Sequence, residues 1–304
     1  ADHGNADEML QKVQDAGIEV EVFNPVHRYI SRIYFNFRDH RKFVLVDGKI
    51  GYTGGINIRD DHMGKKKKLS PWRDTHIRIE GKAVWDLQNV FFNDWRCSKR
   101  AKLDAKELVQ EGYFNEESLK SVGNIATQVV TSGPESSQHH IQDVYIKMIS
   151  LAKKRVYIQT PYFIPDEMFL KTLIMAKRSG VDVRIMIPKK PDKKSVYYAT
   201  LSYVRQLLDY GIEVYLYNGF IHSKTLLVDD LAVSIGTCNI DNRSFALNFE
   251  ITTLLYNKDF VNINKQIFEN DIKNSQGLSI RYFKRKFVST KIMQAIFRLF
   301  SQLM

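Results

Sequence analysis

The feature that most restricts the fold of this chain is a pair of matching segments whose equivalent residues lie 182 positions apart. Each segment contains a histidine, a lysine, an aspartate, a glycine and an asparagine at identical spacing. These residues are His40, Lys42, Asp47, Gly54 and Asn57 in the first segment and His222, Lys224, Asp229, Gly236 and Asn239 in the second. Because five residue types recur in register, the chain is predicted to contain a duplicated domain.

The stretch between the two segments indicates what each copy folds into. Strand-like and helix-like patterns alternate there, with strands predicted at 127–131, 155–160, 181–187 and 212–217 and helices at 138–153, 166–179 and 195–209. Such alternation predicts an α/β fold in which a mixed sheet is flanked by helices. Ahead of the first segment only a helix (8–15) and a strand-like run (16–22) match this series. The first lobe is therefore expected to be truncated at its N-terminus.

The predicted division of the chain is a first lobe at 1–125, a second lobe at 126–280 and a basic amphipathic segment at 281–304. The border between the lobes is expected within the polar stretch 123–137, which contains Gly and Pro. The two lobes are expected to be related by a pseudo-twofold axis.

Composition narrows the class of protein and the kind of partner. The 304 residues are 44% apolar and 26% charged, which is typical of a globular protein and excludes disordered and fibrous classes. Lys and Arg outnumber Asp and Glu by 45 to 34, so the partner is expected to be anionic, either nucleic acid or an acidic membrane surface. Two cysteines exclude a disulfide framework, and no apolar run reaches the roughly 18 residues that a membrane span requires.

Each repeated segment predicts a set of catalytic groups on one edge of its lobe. Residues two apart on a strand share a face, so His40 lies beside Lys42 and His222 beside Lys224. A pseudo-twofold axis would bring two imidazoles, two ammonium groups and the amides of Asn57 and Asn239 around one centre. Such a site suits a phosphodiester, because cations and amides neutralise its oxygens while the imidazoles attack and protonate from opposite sides.

The other residues of the repeat predict structural roles. The runs 43–46 and 225–228 predict strands buried on both faces, and the glycines that follow are expected to let the backbone approach a ligand closely. Asp47 and Asp229 are expected to serve a turn or lobe packing rather than acid–base chemistry. The histidines outside the repeat are interpreted as half-buried, hydrogen-bonded residues without a catalytic role: His3, His27, His62, His139 and His140.

The repeated segments resemble the HxK(x)4D(x)6GSxN signature of the phospholipase D superfamily, with Gly55 and Thr237 where the signature has serine. Four further stretches are similar to bacterial cardiolipin synthases. They are GGINIRDD at 54–61, PWRDTHIRIEG at 71–81, TPYFIP at 160–165 and NIDNRSFALNFE at 239–250. The resemblance covers essentially the whole chain.

This resemblance implies a ping-pong reaction in which two phosphatidylglycerol molecules give cardiolipin and glycerol through a covalent phosphatidyl-histidine. By analogy with the family, His40 is the nucleophile and His222 the acid and base. Lys42, Lys224 and the two motif asparagines would hold the phosphate, with no cofactor or metal ion. The family also implies phosphatidylglycerol and anionic membrane lipid as partners, with no nucleic acid expected. It further implies a catalytic region on the cytoplasmic side of a bacterial membrane, with membrane helices upstream.

A histidine used in this way needs a carboxylate on its second ring nitrogen to fix its tautomer. Glu250 follows His222 by 28 residues on a strand-like stretch (249–255), and Asp74 follows His40 by 34 residues in the corresponding part of the first lobe. Asp74 and Glu250 are therefore predicted to orient the two imidazoles.

Three other functions remain open from the sequence: a phospholipase D that transfers to water, a nuclease of the same superfamily, and a non-catalytic protein that binds anionic lipid. The C-terminal helix predicted from Arg281 onward fits either an interfacial helix on anionic lipid or a helix docked on the protein. The aromatic loop 29–37 is expected to contact acyl chains or to cover the lobe interface. Two lysine clusters, Lys65–Lys68 and the group at 189–194, are expected to be solvated or to attract anionic head groups.

Overall fold

A computed structural model describes residues 3–23, 37–99, 112–114, 120, 123–284 and 288–301. Within these ranges the first lobe contains two helices and four strands. These are α1 (His3–Asp15), β1 (Phe43–Val46), β2 (Ile50–Gly54), β3 (Trp72–Arg73), β4 (His76–Glu80) and α2 (Ala83–Lys99). Strands β1, β2 and β4 form an antiparallel sheet in that order, and α2 packs on it through Val84 and Leu87.

The second lobe is built on an eight-stranded mixed sheet. Its strands in chain order, with the three short ones that lie outside the sheet (β7, β10 and β13), are β5 (Ala126–Ser132), β6 (Arg155–Gln159), β7 (Phe163–Ile164), β8 (Asp182–Pro188), β9 (Glu213–Tyr217), β10 (Phe220–Ile221), β11 (Thr225–Val228), β12 (Ala232–Gly236), β13 (Ile240–Asp241), β14 (Glu250–Tyr256) and β15 (Ser275–Gly277). The order across the sheet is β15-β9-β8-β6-β11-β12-β14-β5. Strands β6, β8 and β9 are parallel, and the other pairings are antiparallel.

Helices cover this sheet as the alternating pattern predicts. They are α3 (His140–Leu151), α4 (Glu167–Arg178), α5 (Lys194–Asp209), α6 (Asn242–Ala246), α7 (Lys258–Lys273), α8 (Ile280–Lys284) and α9 (Val288–Leu299). The start of α4 shows the local cause: the Asp166 side chain accepts a hydrogen bond of 2.8 Å from the Phe169 amide, and the helix ends in Lys177 and Arg178. A capping carboxylate and terminal cations both stabilise a helix through its unpaired amides and its dipole. The predicted α/β architecture of two similar lobes is confirmed.

Two expectations for the first lobe are wrong. Strand β1 is not buried on both faces, because Val44 is 51% and Val46 40% exposed. The equivalent strand β11 lies between β6 and β12, whereas β1 is an edge strand whose only partner among the described residues is β2. The run 16–22 forms no strand either, although its counterpart β9 is held between β8 and β15, because the described residues of the first lobe provide no such neighbours.

The C-terminal helix α9 is docked on α5, which is one of the two arrangements expected for it. The rings of Phe297 and Tyr198 stack with their centroids 6.0 Å apart, and Arg298 donates to the Gln206 side chain at 2.8 Å. The other face of the helix exposes apolar residues, namely Ile292, Met293, Ile296 and Leu299, and Phe300 follows them. Within the ranges described above, no helix is both long enough and apolar enough to cross a membrane. Residues 29–36 of the aromatic loop lie outside those ranges.

Candidate active site

Backbone pairing between the lobes sets the position of both motif histidines. Just before His222, strand β10 pairs in parallel with β3, and the His222 amide donates to the Arg73 carbonyl at 2.7 Å. Just before His40, Asp39 pairs in parallel with Phe249, and the His40 amide donates to the Phe249 carbonyl at 3.0 Å. Each histidine therefore enters the site alongside a strand of the other lobe.

The sheet register shows that Asp74 and Glu250 occupy equivalent positions in the two lobes. Gly54 pairs with His76, two residues after Asp74, and the equivalent Gly236 pairs with Thr252, two residues after Glu250. Asp74 follows Arg73, which pairs with Ile221, and Glu250 follows Phe249, which pairs with Asp39. The pseudo-twofold relation therefore places each carboxylate next to the histidine of the opposite lobe.

The two histidine–carboxylate pairs cross between the lobes. Nδ1 of His40 lies 2.8 Å from Oε1 and 3.0 Å from Oε2 of Glu250, and Nδ1 of His222 lies 2.9 Å from Oδ2 of Asp74. The two carboxylates that the sequence singles out do contact the motif imidazoles, but each contacts the histidine of the opposite lobe, whereas the sequence places each beside the motif of its own lobe. The exchange follows from the pairing described above, which brings residue 249 to residue 39 and residue 73 to residue 221.

Burial differs between the two pairs. The His40 side chain is 30% exposed, whereas that of His222 is 10% exposed; Glu250 is fully buried and Asp74 is 5% exposed. Burial and the charge of Lys224 lower the pKa of His222 to about 3, so its imidazole is neutral near pH 7. Burial opposes ionisation of both carboxyls, but hydrogen bonds from His222 and His62 hold the pKa of Asp74 well below its usual value. In the same way, the charge of His40 and its hydrogen bond lower the pKa of Glu250.

The two motif lysines reach the same centre. Nζ of Lys224 lies 2.9 Å from Nε2 of His222 and donates to the His222 carbonyl at 2.6 Å, and Nζ of Lys42 donates to the His40 carbonyl. Burial lowers the pKa of Lys42 to about 8. Burial and repulsion from Lys42 outweigh the attraction of Asp74 and lower the pKa of Lys224 to about 7. Two ammonium groups that repel each other are in place to hold an anion between them.

We expect kcat/KM to be level below about pH 7 and to fall as the pH rises through 7 to 8. The sequence predicts that both lysines hold a phosphate, which requires them to be protonated, and their lowered pKa values mean that the proton is lost within this range. On the acid side no decrease is expected from His222 above about pH 3. The measurement is a pH profile of kcat/KM, which reports the free enzyme. A profile that rises through pH 7 to 8 would contradict this electrostatic account.

The motif asparagines occupy different surroundings. Asn239 is 6% exposed and its Oδ1 is buried without a hydrogen-bond partner. Asn57 contacts His62 twice. Its backbone nitrogen lies 3.2 Å from Nδ1 of His62, and its side-chain Nδ2 lies 3.0 Å from Nε2 of His62. Both asparagines are thus at the lobe interface, but only Asn57 is held by a neighbouring side chain within the described ranges.

His62 is the site residue that the sequence misses. Its side chain is 4% exposed, its Nδ1 lies 3.5 Å from Oδ2 of Asp74, and its ring lies against the rings of Trp72 and His222, with centroids 4.2 and 4.8 Å away. The ring therefore bridges Asn57 and the Asp74–His222 pair. The expected hydrogen bonding of His62 is present, but its place beside Asp74 and His222 was not predicted. No local sequence pattern distinguishes it from the other histidines outside the repeat.

The position that is usually serine has a different neighbour in each lobe. Thr237 donates its hydroxyl to Oε2 of Glu250, and a Cβ at Gly55 would collide with the Asp74 carboxylate. Glycine at 55 therefore leaves room for the carboxylate that orients His222. Gly54 and Gly236 are likewise crowded by the adjacent strand. The expectation that these glycines admit a ligand is wrong, because what approaches them is the protein itself.

Asp47 and Asp229 both adopt left-handed backbone conformations, with φ of 54° and 53°. The Asp229 carboxylate accepts hydrogen bonds from three successive backbone amides, those of Lys153, Lys154 and Arg155, at 2.8 to 2.9 Å. This geometry supports the structural role expected for the motif aspartates in a turn. Asp229 in addition ties the β11–β12 turn to the start of β6.

Among the residues that the structure describes, one group has ligand atoms close enough together to hold a metal ion: those of His62, Asp74 and His222 lie within 4.8 Å of one another. The same atoms form the hydrogen bonds that orient His222. A cation there would also lie close to the ammonium group of Lys224. We therefore describe these residues as a hydrogen-bonded cluster rather than as a metal site.

Comparisons with known proteins agree with this geometry. Residues 145–272 match a protein-family model described as "Cardiolipin synthase, PLD-like domain". The chain is 43% identical over 293 residues to the cardiolipin synthase of Oceanobacillus iheyensis, covering 96% of this chain and 60% of that protein. It is 43% identical over 297 residues to cardiolipin synthase 2 of Staphylococcus epidermidis, covering 97% of this chain and 60% of that protein. The chain thus spans about 60% of the length of these curated relatives.

Among solved structures, the fold is similar to that of phosphatidylserine synthase from Haemophilus influenzae Rd KW20. The TM-score is 0.64 at 16% sequence identity, over 87% of this chain and 69% of that one. This likeness supports the arrangement of two α/β lobes.

Proposed function

Because the chain belongs to the cardiolipin synthase family of the phospholipase D superfamily, we propose that it transfers a phosphatidyl group between two phosphatidylglycerol molecules. The products are cardiolipin and glycerol. The observation that carries the proposal is the crossed pairing of His40 with Glu250 and of His222 with Asp74. Each lobe alone has an imidazole without its carboxylate, so the two lobes are required together.

In the first half of the proposed reaction, Nε2 of one histidine attacks phosphorus. A nitrogen–phosphorus bond forms, the bond from phosphorus to the glycerol oxygen breaks, and the other imidazolium gives its proton to the departing alkoxide. Lys42, Lys224, Asn57 and Asn239 hold the non-bridging oxygens, where negative charge grows in the transition state. Asp74 and Glu250 fix the ring tautomers so that each Nε2 faces the phosphate.

In the second half, the now neutral imidazole removes the proton from a terminal glycerol hydroxyl of the incoming lipid. The new phosphorus–oxygen bond forms as the nitrogen–phosphorus bond breaks, and the attacking histidine is released unchanged. The protonation state of the site after the cycle equals that at its start, so no net proton is consumed. Side chains of the protein and the two lipids therefore account for every proton transferred and every bond formed or broken.

The proposed setting is the surface of a bacterial membrane that contains phosphatidylglycerol, with the catalytic region facing the cytoplasm. The exposed apolar face of α9 and the excess of basic residues support binding to anionic lipid. The proposed division of the chain remains 1–125, 126–280 and 281–304. It is supported by β5, which starts at Ala126 and belongs to the eight-stranded sheet.

The proposal is tested by incubating the protein with phosphatidylglycerol in mixed micelles with EDTA and separating the products by thin-layer chromatography. Cardiolipin and glycerol in equal amounts are the expected products. Phosphatidic acid alone would identify a hydrolase instead. Nicking of plasmid DNA without lipid turnover would identify a nuclease, and binding of anionic vesicles without either activity would identify a lipid-binding protein.

A further inference from the structure

A cavity beside His40 is lined by polar groups that the proposed contacts with the phosphate do not use. Its volume is about 370 Å³, near the lower end of the range of about 300 to 1,000 Å³ for small-molecule sites. That size suits a polar head group rather than an acyl chain. The residues that matter here are His40, the buried Asn239, Ser244 and Asn248, and the cations Lys193 and Arg243.

Several buried polar atoms in the wall of this cavity have no hydrogen-bond partner among the described residues. Among the described residues, eight buried side-chain polar atoms lack a hydrogen-bond partner, and three of them belong to this wall: Oδ1 of Asn239, Oγ of Ser244 and Oδ1 of Asn248. The three side chains belong to residues that are 6%, 1% and 6% exposed. Buried polar groups without partners are rare and costly in folded proteins, so a cluster of them indicates a missing ligand.

The orientation of Asn248 is fixed by its neighbour. Its Nδ2 lies 3.3 Å from Oε1 of Glu250. A carboxylate only accepts hydrogen bonds, so the NH2 group must face Glu250 and the amide oxygen must face away. The group left without a partner is therefore an acceptor. Two amide oxygens and a hydroxyl form a set that hydroxyl donors of a ligand would satisfy.

The charged residues of the wall indicate that the ligand also carries an anionic group. Three cations of the wall, Arg38, Lys193 and Arg243, outnumber the carboxylate of Asp241, so the wall attracts an anion and disfavours an ammonium-bearing head group. A terminal glycerol carries hydroxyl donors, and in phosphatidylglycerol it is attached through a phosphodiester. The cavity matches both parts.

We propose that this cavity is the acceptor site, which binds the glycerol end of the incoming lipid through Asn239, Ser244 and Asn248 and its phosphodiester through Lys193 and Arg243. The inference rests on the proposed phosphatidyl transfer and adds which side chains bind the acceptor and on which side of phosphorus it lies. It excludes amine head groups, and it explains how a lipid alcohol is chosen over water.

The position of the cavity also assigns the two histidines. In transfer at phosphorus the attacking and leaving groups lie roughly in line, on opposite sides. An alcohol bound beside His40 gives up its proton to His40, so His222 attacks phosphorus. This order is the reverse of the one that the family resemblance implies. The neutral imidazole of His222 agrees with it, because a nucleophile needs a free electron pair.

The test uses phosphatidyl-p-nitrophenol as donor and two soluble acceptors, glycerophosphoglycerol and glycerol. Ser244→Ala removes a buried hydroxyl for which the described part of the chain provides no well-formed hydrogen bond, and we expect it to raise the half-saturating concentration of both acceptors about three- to tenfold. Lys193→Ala is expected to raise that of glycerophosphoglycerol alone. Ethanolamine is expected to be a poor acceptor for every variant.

The matched control is Thr253→Val, which removes another buried hydroxyl without a partner, on β14 and outside the cavity. It should leave both half-saturating concentrations within twofold of those of the unmodified protein. Binding of glycerophosphoglycerol is also measured by saturation-transfer difference NMR, which needs no turnover. A protein that binds this acceptor but transfers nothing would refute the proposed function and leave the acceptor site supported.

Two results would overturn the acceptor site. One is normal transfer with half-saturating concentrations that Ser244→Ala and Lys193→Ala leave unchanged, with no loss of the NMR signal in either variant. The other is a phosphatidyl group trapped on His40, because the alcohol would then have to bind on the opposite side of phosphorus. A phosphatidyl group on His222, found by mass spectrometry after rapid quenching, is the expected result.

Discussion

Replacing either His40 or His222 by Ala is expected to lower the rate of cardiolipin formation by about 10⁴-fold or more. Loss of one member of a catalytic group that acts as a unit removes most of its rate enhancement. The nucleophile cannot be replaced by water without losing the covalent route, and a glycerol alkoxide is too basic to leave without a proton. The measurement is the initial rate of cardiolipin formation, with thermal unfolding as the control for folding.

The two variants are expected to differ with an activated donor. The p-nitrophenolate ion leaves without a proton, so His40→Ala should still release it in a burst, whereas His222→Ala should not. His222 is packed against Trp72 and Phe220, so His222→Asn is made as well in case the alanine variant unfolds. A burst that survives in the His222 variants and disappears in His40→Ala would reverse the assignment made from the cavity.

Replacing the orienting carboxylates is expected to have the second largest effect. Glu250→Gln and Asp74→Asn should each lower kcat by about 10³- to 10⁴-fold, because a neutral amide no longer fixes the tautomer of its imidazole. Glu250→Asp keeps the charge and should retain more activity than Glu250→Gln. A purely structural role would instead show as loss of thermal stability with the pH profile unchanged.

Double-mutant cycles separate crossed pairing from pairing within a lobe. Contacting residues are strongly non-additive, while independent sites add. We therefore expect His40→Ala to mask most of the effect of Glu250→Gln, and His222→Ala to mask that of Asp74→Asn. The activated donor provides measurable rates for the His40 variants. Masking of Asp74→Asn by His40→Ala, without masking of Glu250→Gln, would contradict the crossed arrangement.

The repeat at 182 positions and the alternating pattern were sufficient to predict two α/β lobes and to single out six motif residues, a histidine, a lysine and an asparagine from each lobe. Asp74 and Glu250 could be found because a catalytic imidazole needs a carboxylate. Their exchange between lobes could not be found, because it depends on which strands pair across the interface, and spacing along the chain carries no such information. The burial of β1 was overestimated for a similar reason: aliphatic content does not reveal whether a strand has one neighbour or two.

Other parts of the site depend on three-dimensional contacts that no local pattern encodes. His62 differs from His139 and His140 only through its contacts with Asn57 and Asp74. The cavity beside His40 combines residues from four separate stretches of the chain, from Arg38 to Asn248. Ser244 in particular is an ordinary helix residue by sequence, and only its burial without a partner distinguishes it.

The most direct test of the convergence of both lobes on one phosphorus is a crystal structure of the protein with orthovanadate. Vanadate adopts the five-coordinate geometry of phosphorus in transfer, so its metal atom marks the reacting centre. We predict a vanadium atom between the Nε2 atoms of His40 and His222, with its oxygens held by Lys42 and Lys224. A vanadate that contacts one imidazole alone, with the second ring turned away from it, would contradict the account.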